Sequence, residues 1–183
     1  AIPTILIRGE SGAGKTMVAR QLARGIGESE DIPIQVVSMP EYEGSESHFE
    51  NDMFGFQGGH YTDSPDEGSP GLLLNTIGGI VFLDEIGDAT LSVQRKLLRY
   101  LDDYMVTPKR LKHAIFCPTL IIAATNQPLE KMMEEKTFRR ELYERFDAEV
   151  TIPSLNERRA AGDLPLILDE ILQNPGFNPG HAI

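Results

Sequence analysis

With a single cysteine, Cys117, in 183 residues, the chain cannot close an internal disulfide. That usage fits a reducing compartment, and a cytoplasmic location is the expectation. No apolar run approaches the roughly 20 residues a membrane helix requires, and no basic-then-apolar leader precedes the first apolar segment. A soluble chain without membrane contact is expected. Basic charge is also scarce: 17 Lys and Arg stand against 28 Asp and Glu, a formal net charge of −11. This balance disfavours general attraction to nucleic-acid backbones or anionic lipid, so direct DNA binding is not expected and any anionic ligand needs a local site. There is no internal repeat. The opening Ala1-Ile2-Pro3 lacks Met and the close, Asn174-Pro175-Gly176-Phe177-Asn178-Pro179-Gly180, is rich in breakers, so the chain is expected to be part of a longer protein.

What is present suits one α/β domain: 40% of residues are hydrophobic and 25% charged, enough for a substantial core. Short β-rich apolar runs occur at Thr4 to Ile7, Ile34 to Val37, Ile80 to Leu83 and Leu120 to Ala124. Two of them, Ile80-Val81-Phe82-Leu83 and Leu120-Ile121-Ile122-Ala123-Ala124, are almost continuously apolar, as strands of a parallel sheet covered on both faces are. Helical spacing follows the first run at Val18, Ala19, Leu22 and Ala23. It follows the third at Leu91, Leu97, Leu98 and Leu101, with Asp88 or Thr90 as the N-cap. From Gly55 to Gly79 the chain has 7 Gly and 2 Pro in 25 residues, which predicts an exposed, mobile excursion. The sheet pattern stops near Thr151-Ile152-Pro153, and Leu164, Ile167, Leu168, Ile171 and Leu172 predict a small helical appendage. The expected division is an α/β core over 1–153 and part of a helical lid over 154–183.

Gly9-Glu10-Ser11-Gly12-Ala13-Gly14-Lys15-Thr16 matches GxxxxGK[ST] in full, after a strand and before a helix, which is the context the motif requires. In such a loop successive backbone N–H groups converge on phosphates, the helix N-terminus adds positive potential, and the lysine adds a point charge. Thr16 offers a hydroxyl to Mg²⁺. The run Ile80 to Leu83 ends in Asp84-Glu85, two carboxylates at the edge where open α/β sheets bind ligands. Asp84 suits the shell of a Mg²⁺ ion, and Glu85 suits orienting and polarising a water in line with a γ-phosphate. The next strand ends in Thr125-Asn126; Asn126 is read equally as a contact to the attacking water or γ-phosphate and as a turn residue before Gln127-Pro128. Phe138 to Phe146 predicts a helix carrying three arginines. Arg139 and Arg145 are read either as arginine fingers reaching a neighbouring subunit or as ordinary surface charges, with Glu141 four residues before Arg145.

These residues resemble the AAA+ ATPase domain of bacterial sigma-54-dependent transcription activators, over nearly the whole chain. Gly9 to Lys15 resembles that family's Walker A, Val81-Phe82-Leu83-Asp84-Glu85-Ile86-Gly87-Asp88 its Walker B, and Ile122-Ala123-Ala124-Thr125-Asn126 its sensor 1 strand. Phe138-Arg139-Arg140-Glu141-Leu142-Tyr143-Glu144-Arg145 is similar to the segment that supplies two fingers in trans, and by that match they are Arg139 and Arg145, not Arg140. The resemblance implies a P-loop NTPase fold of the AAA+ type and Mg²⁺-dependent hydrolysis of ATP between the subunits of a ring, usually a hexamer. It further implies that surface loops remodel sigma-54 RNA polymerase. The chain stops inside the implied lid, so no residue is matched to that family's sensor 2 arginine.

Three departures stand out. The family's sigma-contacting loop reads GAFTGA, whereas the matching run here is Gly59-His60-Tyr61-Thr62-Asp63-Ser64, followed by Asp66 and Glu67. Thr16 stands where the family commonly has Glu, and Ser38 near where it has an Asn that restrains the catalytic Glu. The acidic loop keeps a second reading open, a remodelling ATPase with another protein target. A third reading is an ATP-gated oligomerisation switch with little turnover, against which the Asp84-Glu85 pair argues.

Overall fold

The continuously apolar runs become the central strands of a parallel sheet, because side chains on both faces are covered. The computed structural model describes residues 2–26, 32–56, 68–108 and 113–163, together with 165, 166 and 169. In chain order the elements are β1 (Thr4–Arg8), α1 (Lys15–Ile26), β2 (Ile34–Ser38), α2 (Glu46–Phe54), α3 (Leu72–Asn75), β3 (Ile80–Asp84) and α4 (Leu91–Asp103). There follow β4 (Met105–Val106), β5 (Ile115–Phe116), β6 (Leu120–Thr125), α5 (Leu129–Glu134), α6 (Arg140–Tyr143), β7 (Ala148–Thr151) and α7 (Leu155–Ala161). Five strands form the main sheet in the order β2-β3-β6-β1-β7, all parallel, and β4 pairs with β5 as a small antiparallel ladder.

Side chains alternate between two cores, as the period of two in a strand requires. Leu6, Val81, Leu83, Ile121 and Ala123 pack with residues of α2, α4 and α6 on one face. Ile7, Ile80, Phe82, Ile122 and Ala124 face the other, where Ala13 and Ala19 belong to the loop and helix after β1. Aromatic rings add edge-on contacts to the first core, running from Tyr42 through Phe49, Phe54 and Tyr100 to Tyr104. Tyr100 is buried and its hydroxyl donates to the Cys117 carbonyl at 2.8 Å.

Four details differ from the sequence reading. Helix α4 takes Thr90 of its two expected caps, the hydroxyl accepting from the Val93 amide, but its buried face is Val93, Gln94, Leu97, Tyr100 and Leu101, and Leu91, expected on that face, is exposed. The sheet has a fifth strand, β7, whose four residues are all exposed; an edge strand joined by backbone pairing needs no apolar alternation. The expected helix over Phe138 to Phe146 shrinks to the four residues of α6, with Leu142 buried within it and Phe138 buried in the bend that precedes it. The described part of the Gly55 to Gly79 excursion is not an exposed loop. Phe56 and Ser69 pair as an isolated bridge, Leu73 is fully buried, and a Cβ on Gly71 would stand 2.3 Å from the Gly55 amide nitrogen. Close backbone approach explains why breakers occur there. Of the expected appendage, α7 is described and buries none of its residues; Leu164, Ile167, Leu168, Ile171 and Leu172 lie outside the described residues.

Candidate nucleotide-binding site

Strand order places the chemistry. β6 lies between β1 and β3, so the residues leaving the carboxyl ends of all three, Gly9, Glu85 and Asn126, emerge side by side. From Arg8 the chain turns through the phosphate-loop motif and enters α1 at Lys15. Gly12 and Gly14 adopt φ of 78° and 92°, a conformation that costs any other residue steric strain, and the loop closes through an Ala13 amide to Glu10 carbonyl bond of 3.1 Å. No acidic side chain occupies the first turn of α1, so its N-terminal potential is uncompensated there.

Lys15 is the best-enclosed cation of the site, 6% exposed. Its ammonium donates to the Gly9 and Glu10 carbonyls at 3.2 and 3.3 Å and lies 3.1 Å from Glu85 Oε1. The other carboxylate oxygen of Glu85 accepts from the Asn126 amide at 3.0 Å. Glu85 therefore bridges the lysine that opens α1 and the backbone that leaves β6. It does so from a left-handed backbone, φ 52° and ψ 54°, the kind of strained conformation that surrounding contacts must hold. Asp84 Oδ1 accepts from the Glu85 amide at 3.1 Å. Burial pushes the Asp84 carboxyl up from its ordinary range, the neighbouring Glu85 charge adds to that, and Lys15 opposes it. Ser38 is the register partner of Asp84 on β2, while the bonds that hold Glu85 come from Lys15 and Asn126.

A hydroxyl and a carboxylate, Thr16 and Asp84, are hard oxygen donors, the set that Mg²⁺ takes with phosphate oxygens and water. The electrostatics fit as well: Asp84 is disfavoured as an anion by burial and by Glu85, and a divalent cation relieves both. No cluster of three or more His, Cys, Asp or Glu able to hold a metal alone exists among the described residues.

The structure thus brings Lys15, Asp84, Glu85 and Asn126 together. It does not bring Arg139 or Arg145 to them. Arg139 precedes α6, its amide donating to Gln94 Oε1 at 2.8 Å, and its Nε is the one buried side-chain nitrogen without a partner among the described residues. Arg145 is half-exposed and pairs with Asp102 of α4 rather than with Glu141. The loop Gly59, His60, Tyr61, Thr62, Asp63 and Ser64 lies outside the described residues. Two contributors were missed in the sequence. Arg8 holds Glu130 through two bonds of 2.5 and 2.7 Å and Glu149 at 3.2 Å, tying the strand before the loop to α5 and β7. Gln94, fully buried in α4, contacts both Ala89 and the segment around Arg139; a polar residue on the core face of an amphipathic helix was the available signal.

A parallel five-stranded sheet with a glycine-rich loop at its carboxyl edge defines a P-loop NTPase fold, and solved structures place it in the AAA+ type. NtrX from Brucella abortus in complex with ADP superposes with a TM-score of 0.79 at 28% identity, covering 100% of this chain and 38% of that one. The ATP complex of the same protein gives 0.79 at 28%, covering 99% and 40%. Hsp104, at 22% identity and a TM-score of 0.70 over 94% of this chain and 32% of its own, shares the fold. The chain belongs to the sigma-54 interaction domain family, whose family model matches residues 2–152. Among curated relatives, an uncharacterized protein from the HyuA 5′ region of Pseudomonas sp. (strain NS671) is 37% identical over 93% of this chain and 56% of its own. The uric acid sigma-54-dependent transcriptional regulator UacR of Escherichia coli, described as putative, is 34% identical over 92% and 28%. The transcriptional regulatory protein ZraR of Salmonella typhimurium is 34% identical over 93% and 37%. The chain therefore spans between about a quarter and just over half the length of the curated relatives it matches.

Proposed function

We propose that this chain is the ATP-hydrolysing domain of a sigma-54-dependent transcriptional regulator, working at the interfaces of a ring-shaped oligomer, a hexamer in the full-length protein. The observation that carries the reading is the placement of Glu85 between Lys15 and the Asn126 amide, beside a complete phosphate loop. Residues Gly9 to Thr16 bind the phosphates through their amides, with Lys15 supplying charge to the β and γ oxygens. Phosphate oxygens then replace Glu85 and the two carbonyls as partners of Lys15. That exchange frees the Glu85 carboxylate to orient and deprotonate a water, while Asn126 contacts the γ-phosphate. Thr16 and Asp84 hold Mg²⁺, which when bound neutralises charge developing on the transferred phosphoryl group. Arg139 and Arg145 act on the neighbouring subunit's nucleotide, since neither lies in its own cluster.

Residues 1–153 form the nucleotide-binding core in this proposal and 154–183 part of a helical lid. The family match ends at residue 152, and α7 buries nothing against the core, which supports that boundary. The loop Gly59 to Ser64 engages sigma-54. Among the described residues no helix is long and apolar enough to cross a membrane, and a cytoplasmic location and no direct contact with DNA complete the reading. Co-precipitation with sigma-54 in the presence of ADP and a γ-phosphate transition-state analogue tests the partner. Retention that depends on the analogue supports it; ATP hydrolysis without retention points to a different protein target.

A further inference from the structure

Gln94 is fully buried, and every polar group of its side chain is used. Its Nε2 donates to the Ala89 carbonyl at 2.7 Å and to the Thr137 carbonyl at 3.0 Å, and its Oε1 accepts from the Arg139 amide at 2.8 Å. Two carbonyls on one side and an N–H on the other fix the orientation of the carboxamide, because a flipped amide would set oxygen against two oxygens. Buried networks of this kind rigidify what they join only when complete, and this one is complete.

What it joins is informative. Ala89 closes the short helical turn Ile86–Asp88 that follows Glu85, donating its own amide to Ile86. Thr137 and Arg139 bracket Phe138, a buried anchor. Helix α6 has only four residues, and the Arg139 side chain supplies no cap to it; so short a helix cannot fix its own start. The rigid α4, 13 residues long and capped, does it instead through one carboxamide.

We infer that Gln94 is a positioning residue for Arg139, setting the backbone from which that guanidinium reaches the neighbouring subunit and locking it to the turn after the catalytic acid. The inference rests on the reading of Arg139 as a residue acting in trans. A residue that serves the neighbour has a signature that general stability lacks. Each active site then needs Lys15 from one subunit and a correctly held Arg139 from the next. A Gln94→Met protein should bind ATP with unchanged affinity and assemble, yet lose about 10- to 100-fold in kcat, the scale expected for a misplaced catalytic group. Mixed with inactive Lys15→Ala protein it should regain activity, because interfaces form in which an intact Gln94–Arg139 unit faces an intact phosphate loop.

The experiment measures phosphate release from Gln94→Met, Lys15→Ala and their mixtures, with subunit mixing verified by labelled protein. An Arg139→Ala and Lys15→Ala mixture runs beside them. Should Gln94→Met fail to fold, Gln94→Asn, which withdraws the same carboxamide by one methylene, carries the identical test. Recovery in both mixtures supports the inference. Recovery with Arg139→Ala but not with the Gln94 variant overturns it and leaves the reading of Arg139 standing. Absence of recovery in both overturns both.

Discussion

Replacing Glu85 by Gln separates binding from chemistry and puts a number on the bridge at the site. Glu85 Oε1 and Lys15 Nζ are 3.1 Å apart, with the two side chains 19% and 6% exposed. At an effective dielectric of about 20, the attraction at that spacing is about 5 kcal/mol. Desolvation of two enclosed charges cancels much of it, leaving about 1.5–3 kcal/mol, the range for a hydrogen bond to a charged group. Phosphates must displace that contact from Lys15, so its loss in Glu85→Gln frees the lysine in advance. With about 1.4 kcal/mol per factor of ten, ATP binding should be unchanged or tighter by up to about 100-fold. The Asn126 amide keeps an acceptor in the Gln carbonyl, so the loop after β6 should hold its place. Turnover should fall by about 10²- to 10⁴-fold, the contribution of a positioned general base. Equilibrium titration with a fluorescent ATP analogue measures the first and phosphate release the second. Turnover equal to that of the unaltered protein, or binding lost together with turnover, refutes the reasoning.

Three further outcomes follow from the geometry. Tyr100→Phe removes a buried donor to the Cys117 carbonyl and should cost about 1–2 kcal/mol in denaturant-induced unfolding with nucleotide affinity unchanged; no loss of stability would show that the bond contributes nothing. The Asp147 carboxylate accepts from the Thr4 amide and hydroxyl at 2.8 and 3.0 Å, and these bonds hold its pKa below the ordinary carboxylate value. A pKa depressed by folding stabilises above the unfolded value near 3.9 and loses that contribution as the pH falls through the folded value, so Asp147→Asn should flatten the acid limb of thermal stability below about pH 4; an identical limb contradicts it. Arg145→Ala should lower turnover in the assembled protein while leaving ATP affinity of dilute protein unchanged, and equal turnover would return Arg145 to the role its pairing with Asp102 suggests, an exposed surface charge.

Much of the fold was legible because burial on both faces leaves a compositional trace. Ile80 to Leu83 and Leu120 to Thr125 are buried throughout, and a near-continuous apolar run has few other uses. β7 left no such trace, since Ala148, Glu149, Val150 and Thr151 face solvent and are recruited through backbone pairing with β1. The phosphate loop was readable because its requirements are local: glycines where φ is positive and a lysine at the first position of a helix. The bridge from Lys15 through Glu85 to Asn126 was not, because it depends on β6 lying between β1 and β3, and strand order is a property of the whole chain. Arg139 and Arg145 looked helical because Phe138 and Leu142 repeat at the spacing of one turn, which cannot distinguish one turn from three. Gln94 passed as an ordinary helix residue until the backbone groups it meets, 5, 43 and 45 residues away, were placed beside it.

The central claim is that this domain hydrolyses ATP at subunit interfaces, and the Mg²⁺-dependent rate of phosphate release per subunit, followed across protein concentration, tests it most directly. The account predicts a rate that rises with concentration to a plateau, is abolished by Lys15→Ala at every concentration, and is lost when Mg²⁺ is chelated. A per-subunit rate independent of concentration would contradict an active site shared between subunits, and no release at any concentration, with ATP bound, would contradict hydrolysis itself.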